Sequence, residues 1–164
     1  MSDLASCVNL DYTLSMKNSM HLPLGRLLLD AFKWFDESLL CSLREHGWPP
    51  ISHSQSMVMA YLDHDGIRIS ELARRLGISR QAAQKRVSEL ERVRLVETAV
   101  DATNLSAKIV VLTPQGQAIV ADALMTFSKI EQQLSKRIGG STVENMRMAL
   151  EKGWGEPIIV KERA

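Results

Sequence analysis

The residues with the most specific chemistry lie between Ile69 and Val93. Arg80, Gln81, Gln84, Lys85 and Ser88 fall on one side of a helix at about 100° per residue, and Ala83, Val87 and Leu90 fall on the other. Arg and Lys pair with guanine O6 and N7, and Gln pairs with adenine N6 and N7. Ala82 leaves room for close approach and can touch a thymine methyl, and no acid interrupts the outer face before Glu89. Upstream, Arg74 and Arg75 supply guanidiniums suited to phosphate. Ser79 is a good N-cap, and the helix start it opens presents free N–H groups and the positive dipole end to an anion. Together these residues suit a double-stranded DNA surface. The plainer alternative is a polar face turned to solvent.

The charge distribution points the same way. Residues 67–94 carry eight basic and three acidic side chains, a net +5, while the whole chain is only +1. The rest of the chain is therefore −4, a balance that concentrates attraction for phosphates on one segment.

Other chemistries find little support. His21, His46, His53 and His64 have no ligand spacing, and Cys7 and Cys41 form neither a disulfide framework nor a metal cluster. No nucleophile elbow, phosphate loop, dinucleotide fingerprint or zinc-protease motif occurs, so no enzyme, metal or cofactor is expected. No stretch reaches a membrane span and no signal-peptide core is present, so a cytoplasmic setting without membrane contact is expected.

The elements that must position this surface follow from periodicity and punctuation. Residues 1–20 read as an N-terminal arm. From Leu22 to His46 apolar residues recur at three and four, a long helix with a wide apolar face, ended by Gly47-Trp48-Pro49-Pro50. Ser52 and Gln55 make a capping box for a second helix, closed by His64-Asp65-Gly66. A short helix with Leu72, Ala73 and Leu76 inward is broken at Gly77, and Ser79 starts the next: a helix-turn-helix. Leu95–Val100 and Ala107–Leu112, rich in β-branched residues, make a hairpin around a turn at 101–106. Thr113-Pro114 opens a long helix whose seam of Val120, Leu124, Phe127, Leu134 and Ile138 is interrupted by Glu131. Gly139-Gly140 ends it, and Ser141 with Glu144 caps a last helix before the tail of residues 153–164. The fold class is mainly α with a small β-hairpin wing (α+β). The domains expected are residues 52–112 as a winged helix-turn-helix lobe, flanked by dimerisation helices in 21–51 and 113–152.

The order of elements, with Ser70-Glu71-Leu72-Ala73, Leu76-Gly77-Ile78-Ser79-Arg80, Leu95-Val96, Asp101 and Leu112-Thr113-Pro114-Gln115-Gly116, resembles the MarR family of transcriptional regulators. The resemblance runs from about Leu22 to Lys152 and implies a homodimer with interleaved terminal helices. It implies a repressor on a pseudo-palindromic site, released by a small aromatic or phenolic ligand held between the dimerisation helices and the DNA-binding lobe. Trp34, His46, Trp48, His53, Met57 and Tyr61 are the candidates for that cleft. Two departures stand out. Leu105 and Ser106 occupy the places where the family often carries wing arginines, which leaves Asn104 and Lys108 for a weaker contact. Arg94 replaces the usual glycine, at a cost of about 1 kcal/mol if its backbone is left-handed. Two other readings stay open: a protein-interaction module that no longer binds DNA, favoured by the thin wing, and peroxide sensing through Cys7 or Cys41. Against the second, Cys41 lies among Leu39, Leu40 and Leu43 and reads as a buried small hydrophobe.

Overall fold

A computed structural model describes residues 21–62, 65–101 and 104–161, with the backbone alone for 104–107. The expected arm of residues 1–20 with Cys7, His64 of the turn after the second helix, and Ala102 and Thr103 of the wing turn lie outside the described residues. So do the side chains of Asn104, Leu105 and Ser106 and the last three residues of the tail. The elements are α1 (Leu24–Glu45), α2 (His53–Ala60), α3 (Ile69–Leu76), α4 (Arg80–Arg92), β1 (Val96–Asp101), β2 (Asn104–Leu112), α5 (Pro114–Ile138) and α6 (Gly140–Glu151). This is the mainly helical, winged architecture expected. Among the described residues no helix is long and apolar enough to cross a membrane.

The chain forms two compact units, one up to Phe127 and one from Ser128. In the first, local signals set the ends of the helices. The Ser52 N–H donates to Gln55 Oε1 at 2.7 Å, fixing the start of α2. Gly77 stands at φ 64° and ψ 30°, a left-handed geometry that costs glycine little, and the Ile78 N–H reaches back to the Ala73 carbonyl at 3.0 Å. Ser79 then caps α4 by accepting the Ala82 N–H at 3.1 Å. Leu72, Ala83, Val87, Leu90 and Val110 are fully buried or nearly so, and they make the core that joins α3, α4 and the wing.

β1 and β2 are antiparallel, with Val96 opposite Leu112 and Val100 opposite Lys108; a bulge between Val100 and Asp101 shifts the register so that Asp101 pairs with Asn104. Ile67 adds a single bridge to Val110, with N–H···O bonds of 3.0 and 2.8 Å in the two directions. The second strand thus begins at Asn104, three residues earlier than the expected Ala107. The bulge takes up the irregularity that reads as loop in the sequence.

The close junction of the lobe lies where β1 meets α5. Arg94 has φ 59°, the one non-glycine positive φ among the described residues. Its carbonyl accepts the Thr113 hydroxyl at 2.6 Å, the Leu95 carbonyl accepts the Thr113 N–H at 3.1 Å, and Thr113 Oγ1 caps α5 by accepting the Gly116 N–H at 3.0 Å. A Cβ on Gly116 would overlap the Leu95 carbonyl oxygen. The Leu-Thr-x-x-Gly pattern is therefore a contact requirement.

In the second unit, Arg147 of α6 donates to Glu131 Oε2 at 2.6 Å, which gives the acid interrupting the α5 seam a partner. The expected Ser141 cap is corrected: α6 begins at Gly140, and Gly139, at φ 93°, makes the turn in one residue, placing Ser141 inside the first turn. The apolar faces of the long helices are largely open. Of the α1 face only Leu39 and Leu43 are buried, while Leu24, Leu27 and Phe32 are exposed, as are Leu124 and Ile138 of α5 and Met146 and Leu150 of α6. The tail residues Trp154 and Ile158–Val160 are exposed too.

Two substitutions test the junction by unfolding at fixed protein concentration. Gly116→Ala is expected to destabilise by about 1–3 kcal/mol, as overpacking against an immobile backbone does. Arg94→Gly is expected to stabilise by up to about 1 kcal/mol by relieving the left-handed backbone. A neutral Gly116→Ala or a destabilised Arg94→Gly would contradict the description of this contact.

Candidate nucleic-acid interface

α4 divides as its sequence requires. Ala83, Val87 and Leu90 are fully buried. Arg80, Gln81, Gln84 and Lys85 are exposed, and Ser88 is half-buried at the edge of the same face. The buried stripe fixes the helix against α2 and α3, so the four exposed side chains project as one group from its N-terminal half. Arg86 does not join them: its guanidinium folds back on the Ala82 carbonyl at 3.1 Å.

Arg74 and Arg75 have a partner that the sequence reading did not assign. Glu71, one helical turn earlier, receives Arg74 Nε at 2.8 Å and Nη2 at 2.7 Å, and Arg75 Nε at 2.9 Å. These hydrogen bonds, Arg74's first and Arg75's second, lower the Glu71 carboxyl from its ordinary 4.5 to about 2. A carboxyl depressed in this way contributes its interaction fully above its unfolded value and loses it only as pH falls through about 2. The pairing therefore holds throughout the neutral and mildly acidic range. A phosphate at Arg74 or Arg75 would have to share the guanidinium with Glu71 or displace it.

The wing is tied down at its base. Asp101, buried at 8% exposure, accepts Arg68 Nη2 at 2.6 Å and Nε at 3.0 Å. This pairing makes Arg68 a structural cation. Lys108 is exposed on β2. Asn104 is placed by its backbone at the start of β2, and its side chain lies outside the described residues.

Away from this surface, α1, α2 and α5 border a half-open apolar cavity of about 460 Å³. Of the six cleft candidates, only Met57 lines it. His53 stands behind the wall, its ring edge-on to Phe32 at 5.5 Å and its Nδ1 at 2.7 Å from Asp36 Oδ2. Trp34 packs edge-on to Phe35 at 5.0 Å, and Tyr61 ends α2 outside the lining. His46 Nδ1 and Trp48 Nε1 both meet Asp122 Oδ2, at 2.8 and 2.6 Å, and so fasten the end of α1 to α5. The lining residues missed from sequence include Phe32, Phe35, Asp36 and Phe127. A signal was present for Asp36: it occupies an inward position of the α1 stripe, four residues after Phe32 and three before Leu39. Cys41, expected buried, is half-buried.

Comparison with known proteins agrees with this geometry. The model of the MarR family matches residues 50–104. The HTH-type transcriptional regulator TcaR of Staphylococcus aureus (strain Newman) is 30% identical over 105 residues, 62% of this chain and 68% of TcaR. Wild-type MarR from E. coli in its apo form superposes with a TM-score of 0.66 at 22% identity, covering 80% of this chain and 97% of that one. A mutant of S. aureus MepR bound to an oligodeoxyribonucleotide superposes with a TM-score of 0.54 at 22% identity, covering 79% and 94%. With its helix-turn-helix, wing and flanking helices, the chain belongs to the MarR family of transcriptional regulators.

Proposed function

We propose that this regulator works in the cytoplasm as a homodimer that reads a pseudo-palindromic DNA site and represses the genes it marks. The observation that carries the reading is the exposed group Arg80, Gln81, Gln84 and Lys85, projecting from a helix whose other side is locked in the core. Base-reading side chains need such a rigid mount, because geometric looseness removes discrimination between bidentate pairs. The N-terminal half of α4 enters the major groove, with Ser88 at the margin. Arg74, Arg75 and the helix start at Ser79 hold phosphates, and Asn104 and Lys108 provide the lighter wing contact.

The dimer is argued from surface. The exposed apolar side chains of α1, α5 and α6 are more than a soluble protomer ordinarily leaves in water. Residues 21–51 and 113–152 are the segments that self-association would cover, around a DNA-binding lobe of 52–112. Two copies related by a two-fold axis present two α4 helices to half-sites about one helical turn, or about 10 base pairs, apart. A small effector in the cavity between α1, α2 and α5 would bias the spacing of those helices and release the DNA.

Selection from a random duplex library tests this reading. The expected product is an inverted repeat. Arg80→Ala is expected to cost about 1–3 kcal/mol on the selected site and to relax preference at one position of each half-site. Lys85→Ala is expected to weaken binding to all sequences alike if it meets phosphate, lowering the salt slope by about 1. Enrichment without two-fold symmetry would contradict the dimeric reading, and no enrichment at all would favour a winged-helix protein-interaction module instead.

The Glu71 pairing yields a separate expectation. Glu71→Gln removes the charge that occupies Arg74 and Arg75 and should tighten duplex binding severalfold, with a steeper salt dependence. Unchanged affinity in that variant would remove both arginines from the phosphate contacts.

A further inference from the structure

The cavity between α1, α2 and α5 is apolar except at one point. Phe32, Phe35, Leu39, Met57, Ile119 and Phe127 are among the residues that line its wall, and Asp36 is the single ionisable lining residue among those described. Asp36 is only 7% exposed. Its Oδ1 accepts the Ser56 hydroxyl at 3.0 Å, and its Oδ2 meets His53 Nδ1 at 2.7 Å. A carboxylate offers about four lone-pair sites, so two donors leave part of its accepting capacity unused. Burying a carboxylate is costly, and a cationic donor brought in by a ligand would relieve that cost beside the His53 contact. The surrounding aromatic faces and methionine sulfur suit a cation as well, since ring faces are electron-rich and thioethers polarisable. A carboxylate ligand would meet the opposite field: it would be desolvated in an apolar space beside a fixed negative charge, with no lysine or arginine on the described wall.

We propose that this cavity selects lipophilic cations, compounds with an aromatic or branched apolar body and one protonated amine, and that Asp36 is the residue that sets this selectivity. Of the small aromatic or phenolic ligands expected from the family resemblance, those carrying a carboxylate are therefore disfavoured here. The inference deepens the effector reading given above and rests on it for its regulatory consequence. The choice of charge class stands on the cavity and Asp36 alone.

The test uses three probes sharing a diphenylmethyl body: diphenylmethylamine, diphenylmethanol and diphenylacetate. Each is titrated calorimetrically into the full chain at neutral pH. The amine is expected to bind about ten- to hundredfold more tightly than the acid, the range of a charge-assisted hydrogen bond. Asp36→Asn should abolish that ranking and leave the affinity for the alcohol unchanged, which also reports that the variant's cavity is intact. Equal or tighter binding of the acid by the natural protein overturns the proposal. So does an Asp36→Asn protein that keeps its preference for the amine. Absence of binding by all three overturns it too, as when a side chain of a second copy fills the space. The ranking in the natural protein needs no variant, so a misfolded Asp36→Asn would not shelter the idea. If the amine binds with the expected preference but leaves duplex affinity unchanged, the effector reading fails while the cation selectivity stands.

Discussion

The lobe depends on one close approach: the first turn of α5 lies directly on the backbone of Leu95. Only glycine at 116 permits it, because any Cβ would overlap the Leu95 carbonyl oxygen. Thr113 closes the contact by donating to Arg94 and Leu95 while capping α5. Arg94 must turn left-handed to deliver its carbonyl, a conformation that costs a non-glycine residue about 1 kcal/mol and persists because its surroundings fix it. Through this contact the residues after α4, the first wing strand and the start of α5 are joined by hydrogen bonds.

Acids, more than bases, decide what the basic segment can do. Asp101 binds Arg68 and makes it part of the wing's base. Glu71 holds Arg74 and Arg75. Arg86 folds onto its own helix. The exposed cations of α4's outer face are thus Arg80 and Lys85, set among Gln81 and Gln84. A local charge of +5 therefore overstates the number of cations this segment leaves without an intramolecular acid or carbonyl contact.

Local features were legible in the sequence. The inward stripe Ala83, Val87 and Leu90, the Ser79 cap and the Gly77 break all follow from helical period and capping chemistry within a few residues. The left-handed Arg94 was legible as a departure from the family's glycine. What the sequence concealed is long-range. Arg68 and Asp101 lie 33 positions apart, and Trp48 and Asp122 lie 74 apart. The family resemblance, joined to residue type, gathered Trp34, His46, Trp48, His53, Met57 and Tyr61 as candidates for a ligand cleft. In the fold His46 and Trp48 bind Asp122, and the cavity bordered by α1, α2 and α5 takes Met57 from that set. Ser141 failed as a cap because Gly139 makes the turn before it is needed.

In the proposed binding mode, two α4 helices held by a two-fold dimer read one duplex. Binding stoichiometry on a selected duplex, measured together with its salt dependence, addresses this most directly. Two protomers per duplex are expected, with affinity falling about a thousandfold or more between about 50 and 200 mM salt, as several phosphate contacts require. One protomer per duplex, or affinity indifferent to salt, would contradict it.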